Sequence, residues 1–139
     1  MFSQTAPDDW RSALLDCLNG HQSNARLYEN DDELSLNCHE NHLLLRIQLT
    51  RPGLTSYPLQ AWLRLGGPSL AHFKGTLALC PSTGHLWLMQ GLSRGCSLDQ
   101  LLNALEALLN QRDTWRRVVA RQAKPARKSH ATALRKPLH

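Results

Sequence analysis

The sequence predicts an α+β domain: a small twisted antiparallel sheet packed with about three helices, in the order helix, strands, short helix, hairpin, long helix. Three observations carry this. Two short apolar runs, TLALC at 76–80 and HLWLMQGL at 85–92, flank the turn residues PSTG and read as a β-hairpin. Residues 97–122 then repeat apolar side chains at three and four, the period of an amphipathic helix. Strand-like runs are grouped, with helical segments set around them rather than alternating, which argues against a parallel βαβ fold.

The elements follow in order. Asp8 and Asp9 suit the cap and the dipole of a helix start, and Trp10, Ala13, Leu14, Cys17 and Leu18 share one stripe before the stop at Asn19-Gly20. A polar loop is expected next, carrying Asp31, Asp32 and Glu33. Leu34, Leu36 and Cys38 then alternate with Ser35 and Asn37, and Leu43, Leu45, Ile47 and Leu49 alternate with Leu44, Arg46 and Gln48. These are two strands joined at 39–41 and paired antiparallel. Arg51-Pro52-Gly53 ends the second. Residues 59–65 make two helical turns that Gly66-Gly67-Pro68 is expected to break. In the hairpin, Leu77 and Leu79 alternate with Thr76 and Ala78, and Leu86 and Leu88 with Trp87 and Met89. Large side chains on both faces call for two covers, the chain's own helices and a second protein. Ser97 and Gln100 have capping-box spacing, and Leu98, Leu101, Leu102, Leu105, Leu108, Leu109, Trp115 and Val119 form the buried stripe of the last helix.

A chain of 139 residues with 42% hydrophobic content is enough for one domain with its own core. The first ten residues have neither a basic nor an apolar segment of the kind that begins a signal peptide, and no run nears the ~20 apolar residues of a membrane span. Cys17, Cys38, Cys80 and Cys96 lie far apart in or beside apolar segments, which suits buried thiols in a reducing cytoplasm. The net charge of +5 is unevenly placed. Residues 112–139 hold nine Lys and Arg against Asp113 alone, whereas residues 1–111 hold seven basic against ten acidic residues. With Pro125 and Pro137 expected to stop the helix, the chain divides into a mildly acidic domain, 1–123, and a flexible basic tail, 124–139.

Candidate chemistry is sparse. Cys38, His39 and His42 lack the two-plus-two spacing of a metal site, and adjacent strand residues face opposite ways. Cys80 and His85 imitate a nucleophile and base across a turn, but no third group orients them, and Cys80 is expected to pack beneath the sheet. Gly66-Gly67-Pro68 lacks the lysine and helix of a phosphate loop. No catalytic residue, metal or cofactor is assigned.

The element order, the mildly acidic body, the hairpin TLALCPSTGHLWLMQGL and the leucine-rich helix ending in RDTWRRVV together resemble the class I type III secretion chaperones, over about residues 8–121. The resemblance implies a non-enzymatic bacterial cytoplasmic homodimer that holds the N-terminal region of secreted effectors in extended form. It implies a dimer interface at Leu59, Trp62, Leu63, Leu65, Leu70, Phe73, Trp87 and Met89. It implies effector contacts at Trp10, Leu14, Leu36, Leu44 and Leu45. Arg121, Lys124, Arg127, Lys128, Arg135 and Lys136 would meet an acidic partner, by family analogy the secretion ATPase. Two departures stand out: Gly66-Gly67-Pro68 would shorten the second helix, and the basic tail is unusual in a family that tends to be acidic. The competing reading is a small nucleic-acid-binding regulator that uses the basic tail through phosphates, although that tail has no aromatic residue to stack on bases.

Overall fold

A computed structural model of the protein describes the backbone of residues 8–50, 59–69 and 73–135 and the side chains of 9–50, 59–65 and 73–122. Helix α1 (Asp8–Leu18) leads into a three-strand meander of β1 (Asn24–Glu29), β2 (Asp32–Cys38) and β3 (His42–Gln48). Helix α2 (Leu59–Ser69) precedes the hairpin of β4 (Thr76–Leu79) and β5 (Leu86–Ser93), and α3 (Leu98–Arg135) closes the chain. The five strands form one sheet in the order β1-β2-β3-β5-β4, every pairing antiparallel. This is the expected α+β architecture.

Alternation along the strands decides the layers. Leu34 and Leu36 of β2, Leu43, Leu45 and Ile47 of β3, and Leu86 and Leu88 of β5 are all buried in one cluster with Trp10, Leu14 and Cys17 of α1, Trp62 of α2 and Leu101, Leu105, Leu108, Trp115 and Val119 of α3. Helix α1 packs on β1 and β2, α3 on β3 and β5, and α2 against α3 and β4. The residues between them in sequence, Leu44, Arg46, Gln48, Trp87 and Met89, are only half-buried on the opposite face. That face is knit by polar contacts: Arg46 Nε donates to Ser35 Oγ at 3.0 Å, and its guanidinium lies 5.3 Å from the centre of the Trp87 ring.

The local signals behave as their chemistry requires. Gly20 ends α1 with φ +82°, a backbone state open to glycine. The capping box is reciprocal, with Gln100 N donating to Ser97 Oγ at 3.1 Å and Ser97 N to Gln100 Oε1 at 2.9 Å.

Three expectations are corrected. Residues 24–29 are a strand, not loop, because Asn30 takes φ +57° and turns the chain so that Ala25 and Leu27 face the core opposite Leu36 and Leu34. Helix α2 continues through Gly66-Gly67-Pro68 and ends one residue later; each glycine weakens a helix by about 1 kcal/mol without forbidding it. Helix α3 likewise passes Pro125 to Arg135. A proline removes one donor from the ladder, and the Ala, Arg, Lys and Leu residues around it are strong helix formers.

Asp32 is also not loop decoration. It is 4% exposed at the start of β2, where it accepts bonds from Arg112 Nη1 at 3.0 Å and Arg116 Nη1 at 2.9 Å on Oδ2, and from Arg116 Nη2 at 3.0 Å on Oδ1. Arg112 also bonds Glu29 and Asp113, and Arg116 reaches the carbonyls of Leu49 and Gln48. Burial alone would pull the Arg112 guanidinium down, but its bond to Glu29 and the charges of Asp113 and Glu29 hold it above its ordinary value. Two of the nine basic residues counted at the C-terminal end therefore belong to the body, where they fasten α3 to the first hairpin.

Candidate partner-binding surfaces

Strand β4 is shorter than the strand it pairs with. Its first residue, Thr76, lies opposite Met89, so residues 90–93 of β5 are paired with β3 on one side and with no strand on the other among the described residues. Beside this open half-edge lies a groove of about 600 Å³. Leu92 of β5, Cys96, and Ala104, Ala107 and Leu108 of α3 give it an apolar lining, and Phe73 and Lys74 line it from the segment before β4. From α3 the buried Ala104 and the exposed Ala107 present only methyl groups to it. Gln90, Gln100 and Asn103 add polar groups to its lining.

One end of the groove is fixed by a side chain acting as a strand edge. Gly75 N donates to Gln111 Oε1 at 2.9 Å and Gln111 Nε2 donates to Gly75 O at 3.0 Å, both buried. This clamp places the chain entering β4 against α3. It also requires glycine, since a Cβ at 75 would lie 2.6 Å from Leu108 Cδ2 and closer still to Gln111 Oε1.

The residues expected to meet an effector fall mostly elsewhere. Trp10 is 7% exposed, and Leu14, Leu36 and Leu45 are at most 1% exposed; they form the seam between α1, α3 and the sheet, because a stripe and a sheet face of this size bury each other first. Of the five, only Leu44 faces the open side. Of the expected interface residues, Trp62 is buried in the core, whereas Leu59 and Leu63 are 44% and 53% exposed one helical turn apart. Leu65, Phe73, Trp87 and Met89 are half-buried. Leu70 lies outside the described residues, as does Lys136. Arg121 is exposed, and Lys124, Arg127, Lys128 and Arg135 lie on the final turns of α3, where only the backbone is described.

Cys80 does not pack beneath the sheet but sits in the hairpin turn, its thiol 3.4 Å from Ser82 Oγ. The hydroxyls of Ser82 and Thr83 pull that thiol down to about 7. Cys80 N donates to the His85 carbonyl at 2.9 Å, the backbone bond that closes the hairpin. His39 and His42 stack with centroids 4.6 Å apart, and no cluster of metal-ligating side chains occurs among the described residues. Nor is any helix among them long and apolar enough to cross a membrane.

No protein-family model matches the chain, and no curated protein matches it in sequence. Solved structures do. A chain of the HopA1–SchA chaperone–effector complex matches with TM-score 0.57 at 22% identity, over 68% of this chain and 76% of that one. A chain of the ExsC–ExsE complex matches with TM-score 0.60 at 17% identity, over 83% of this chain and 95% of that one. The ExoU–SpcU heterodimer from the type III secretion system of Pseudomonas aeruginosa superposes more loosely, with TM-score 0.48 at 26% identity, over 71% and 82%. The protein thus has the α+β fold found in complexes of this class.

Proposed function

We propose that this protein is a cytoplasmic type III secretion chaperone, which binds the N-terminal region of secreted effectors as an extended chain and keeps it competent for secretion. The observation that carries this reading is the open half-edge of β5 beside an apolar groove. An extended segment gains main-chain hydrogen bonds along such an edge and places alternate side chains into the groove. Those bonds are indifferent to sequence, so several effectors can share one surface. The binding free energy offsets the ordering of a segment that has no core of its own, without nucleotide. The likeness of fold to a chaperone–effector complex agrees with this reading.

The working unit in this proposal is a homodimer. Leu59 and Leu63 on α2, with Trp87 and Met89 on the outer sheet face, are the apolar groups that a second copy covers. The basic end of α3 from Arg121 onward is assigned to an acidic partner surface, with the secretion ATPase as its candidate. Light scattering should give twice 15.7 kDa, and Leu63→Asp should halve that mass. Calorimetry with N-terminal segments of secreted proteins tests the rest. Saturable binding, with the bound segment remaining non-globular by NMR, supports the proposal, and binding only to folded effector domains contradicts it.

A further inference from the structure

Two cysteines that the sequence separates by 20 residues meet in the fold. Cys17 lies in the last turn of α1 with its side chain fully buried. Cys38 is the last residue of β2 and is half-buried. The Cys38 thiol donates to the Cys17 carbonyl at 3.6 Å, which sets the sulfur of one cysteine against the backbone of the other. On its other side Cys38 lines a surface cavity of about 320 Å³, together with Ser23, His39, Glu40 and Arg94. Arg94 also lines that cavity and is tethered by the bond from its Nη1 to the His39 carbonyl at 2.8 Å. Its guanidinium also lies against Gly20, whose position would put a Cβ 3.8 Å from Nη2. The pair therefore has one residue on an open cavity, one sealed behind it, and a tethered cation lining the same cavity.

We propose that Cys17 and Cys38 are a peroxide-responsive thiol pair, in which Cys38 takes the oxidant and Cys17 resolves it to a disulfide joining α1 to β2. In the first step the sulfur of Cys38 attacks one oxygen of hydrogen peroxide. An S–O bond forms, the O–O bond breaks, and the leaving hydroxide takes the proton given up by the Cys38 thiol to become water. In the second step the sulfur of Cys17 attacks the Cys38 sulfenic acid. The S–S bond forms, the S–O bond breaks, and a second water leaves with the proton of Cys17. The two thiols lose two electrons and one peroxide is reduced to two waters. Burial, followed by the Cys38 bond and charge, pushes the Cys17 thiol up to about 12, so that proton is present at neutral pH. Neither Cys80, in the hairpin turn, nor Cys96, at the groove, belongs to this cavity. The pair is independent of the groove, so its failure leaves the chaperone reading untouched.

The full chain carrying Cys80→Ser and Cys96→Ser, fully reduced, is treated with hydrogen peroxide, alkylated after denaturation and digested. The proposal expects both remaining thiols to vanish together, with loss of the mass of two hydrogens, a linked Cys17–Cys38 peptide, and full recovery with dithiothreitol. The oxidised form should melt higher than the reduced form, because the cross-link closes a loop of the unfolded chain. Adding Cys38→Ser should leave Cys17 alkylatable, and adding Cys17→Ser should leave Cys38 as a sulfenic acid trapped by dimedone. If Cys17→Ser does not fold, the cross-link in the parent and the Cys38→Ser result decide the matter. Oxidation of Cys38 to sulfinic acid while Cys17 remains unlinked overturns the proposal, as does a peroxide-inert pair.

Discussion

Replacing Asp32 by alanine removes the acceptor that holds two guanidinium groups beneath the first hairpin. Arg112 has a side chain 6% exposed and Arg116 one 18% exposed, and both donate to Asp32, whose side chain is 6% exposed. Removing one partner of a buried ion pair generally costs about 3–5 kcal/mol, because the other charge stays desolvated. Arg112 keeps Glu29 and Asp113, and Arg116 keeps two backbone carbonyls, so the lower end, about 3 kcal/mol, applies here. With a urea slope of about 2 kcal/mol per molar, the unfolding midpoint at neutral pH should fall by about 1.5 M. Replacing Asp32, Arg112 and Arg116 together by leucine and methionines should recover much of the loss, since well-packed apolar groups substitute for buried charge without desolvation. A midpoint change below about 0.5 M for Asp32→Ala would place the cluster among solvent-screened surface pairs and refute the reasoning.

Gln111→Ala should cost about 1–3 kcal/mol by leaving the buried N–H and C=O of Gly75 unpaired, measured by the same urea titration. Cys17 is the group whose titration should show in stability. Its thiol is raised from 9.0 to about 12 in the fold, so between those values the unfolded chain binds fewer protons than the native one and stability falls as pH rises. The thermal midpoint should drop between pH 9 and pH 11 by more in the wild type than in Cys17→Ala, each compared with its own neutral value. Truncation after Gln122 should leave the fold and effector binding intact while weakening association with the secretion ATPase. In the full chain that association should itself weaken as salt brings the screening length below about 8 Å.

The parts of the fold legible in the sequence were those specified locally. The hairpin with its PSTG turn, the Ser97–Gln100 box, the Gly20 stop and the leucine stripe of α3 each lie within a few residues, and each forms as its chemistry dictates. Strand β1 was missed because NARLYE places only Ala25 and Leu27 inward on an edge strand. The Asn30-Asp31 pair beside it was the available signal, a two-residue turn rich in left-handed formers. The cluster around Asp32 was hidden by separations of 80 and 84 residues. Arg112 at the buried side of an otherwise leucine-rich stripe was its only trace. The apolar residues expected to bind an effector proved to be core in four of five cases. Periodicity identifies a buried face but does not distinguish burial by the chain's own helices from burial by a partner. The groove joins Phe73, Leu92 and Ala104 from three separate segments, and no local pattern announces it.

Hydrogen exchange of the full chain, with and without an N-terminal effector segment that binds it, tests the central claim most directly. The amides of residues 90–93 that face away from β3 have no strand partner among the described residues, and should exchange freely in the unbound protein. An added strand should slow them, together with the backbone of Phe73 and Lys74, which line the groove. Leu92→Glu should abolish both the protection and the binding without lowering the thermal midpoint by more than a few degrees. Tight binding that leaves residues 90–93 exchanging as before, and that tolerates Leu92→Glu, would contradict the account.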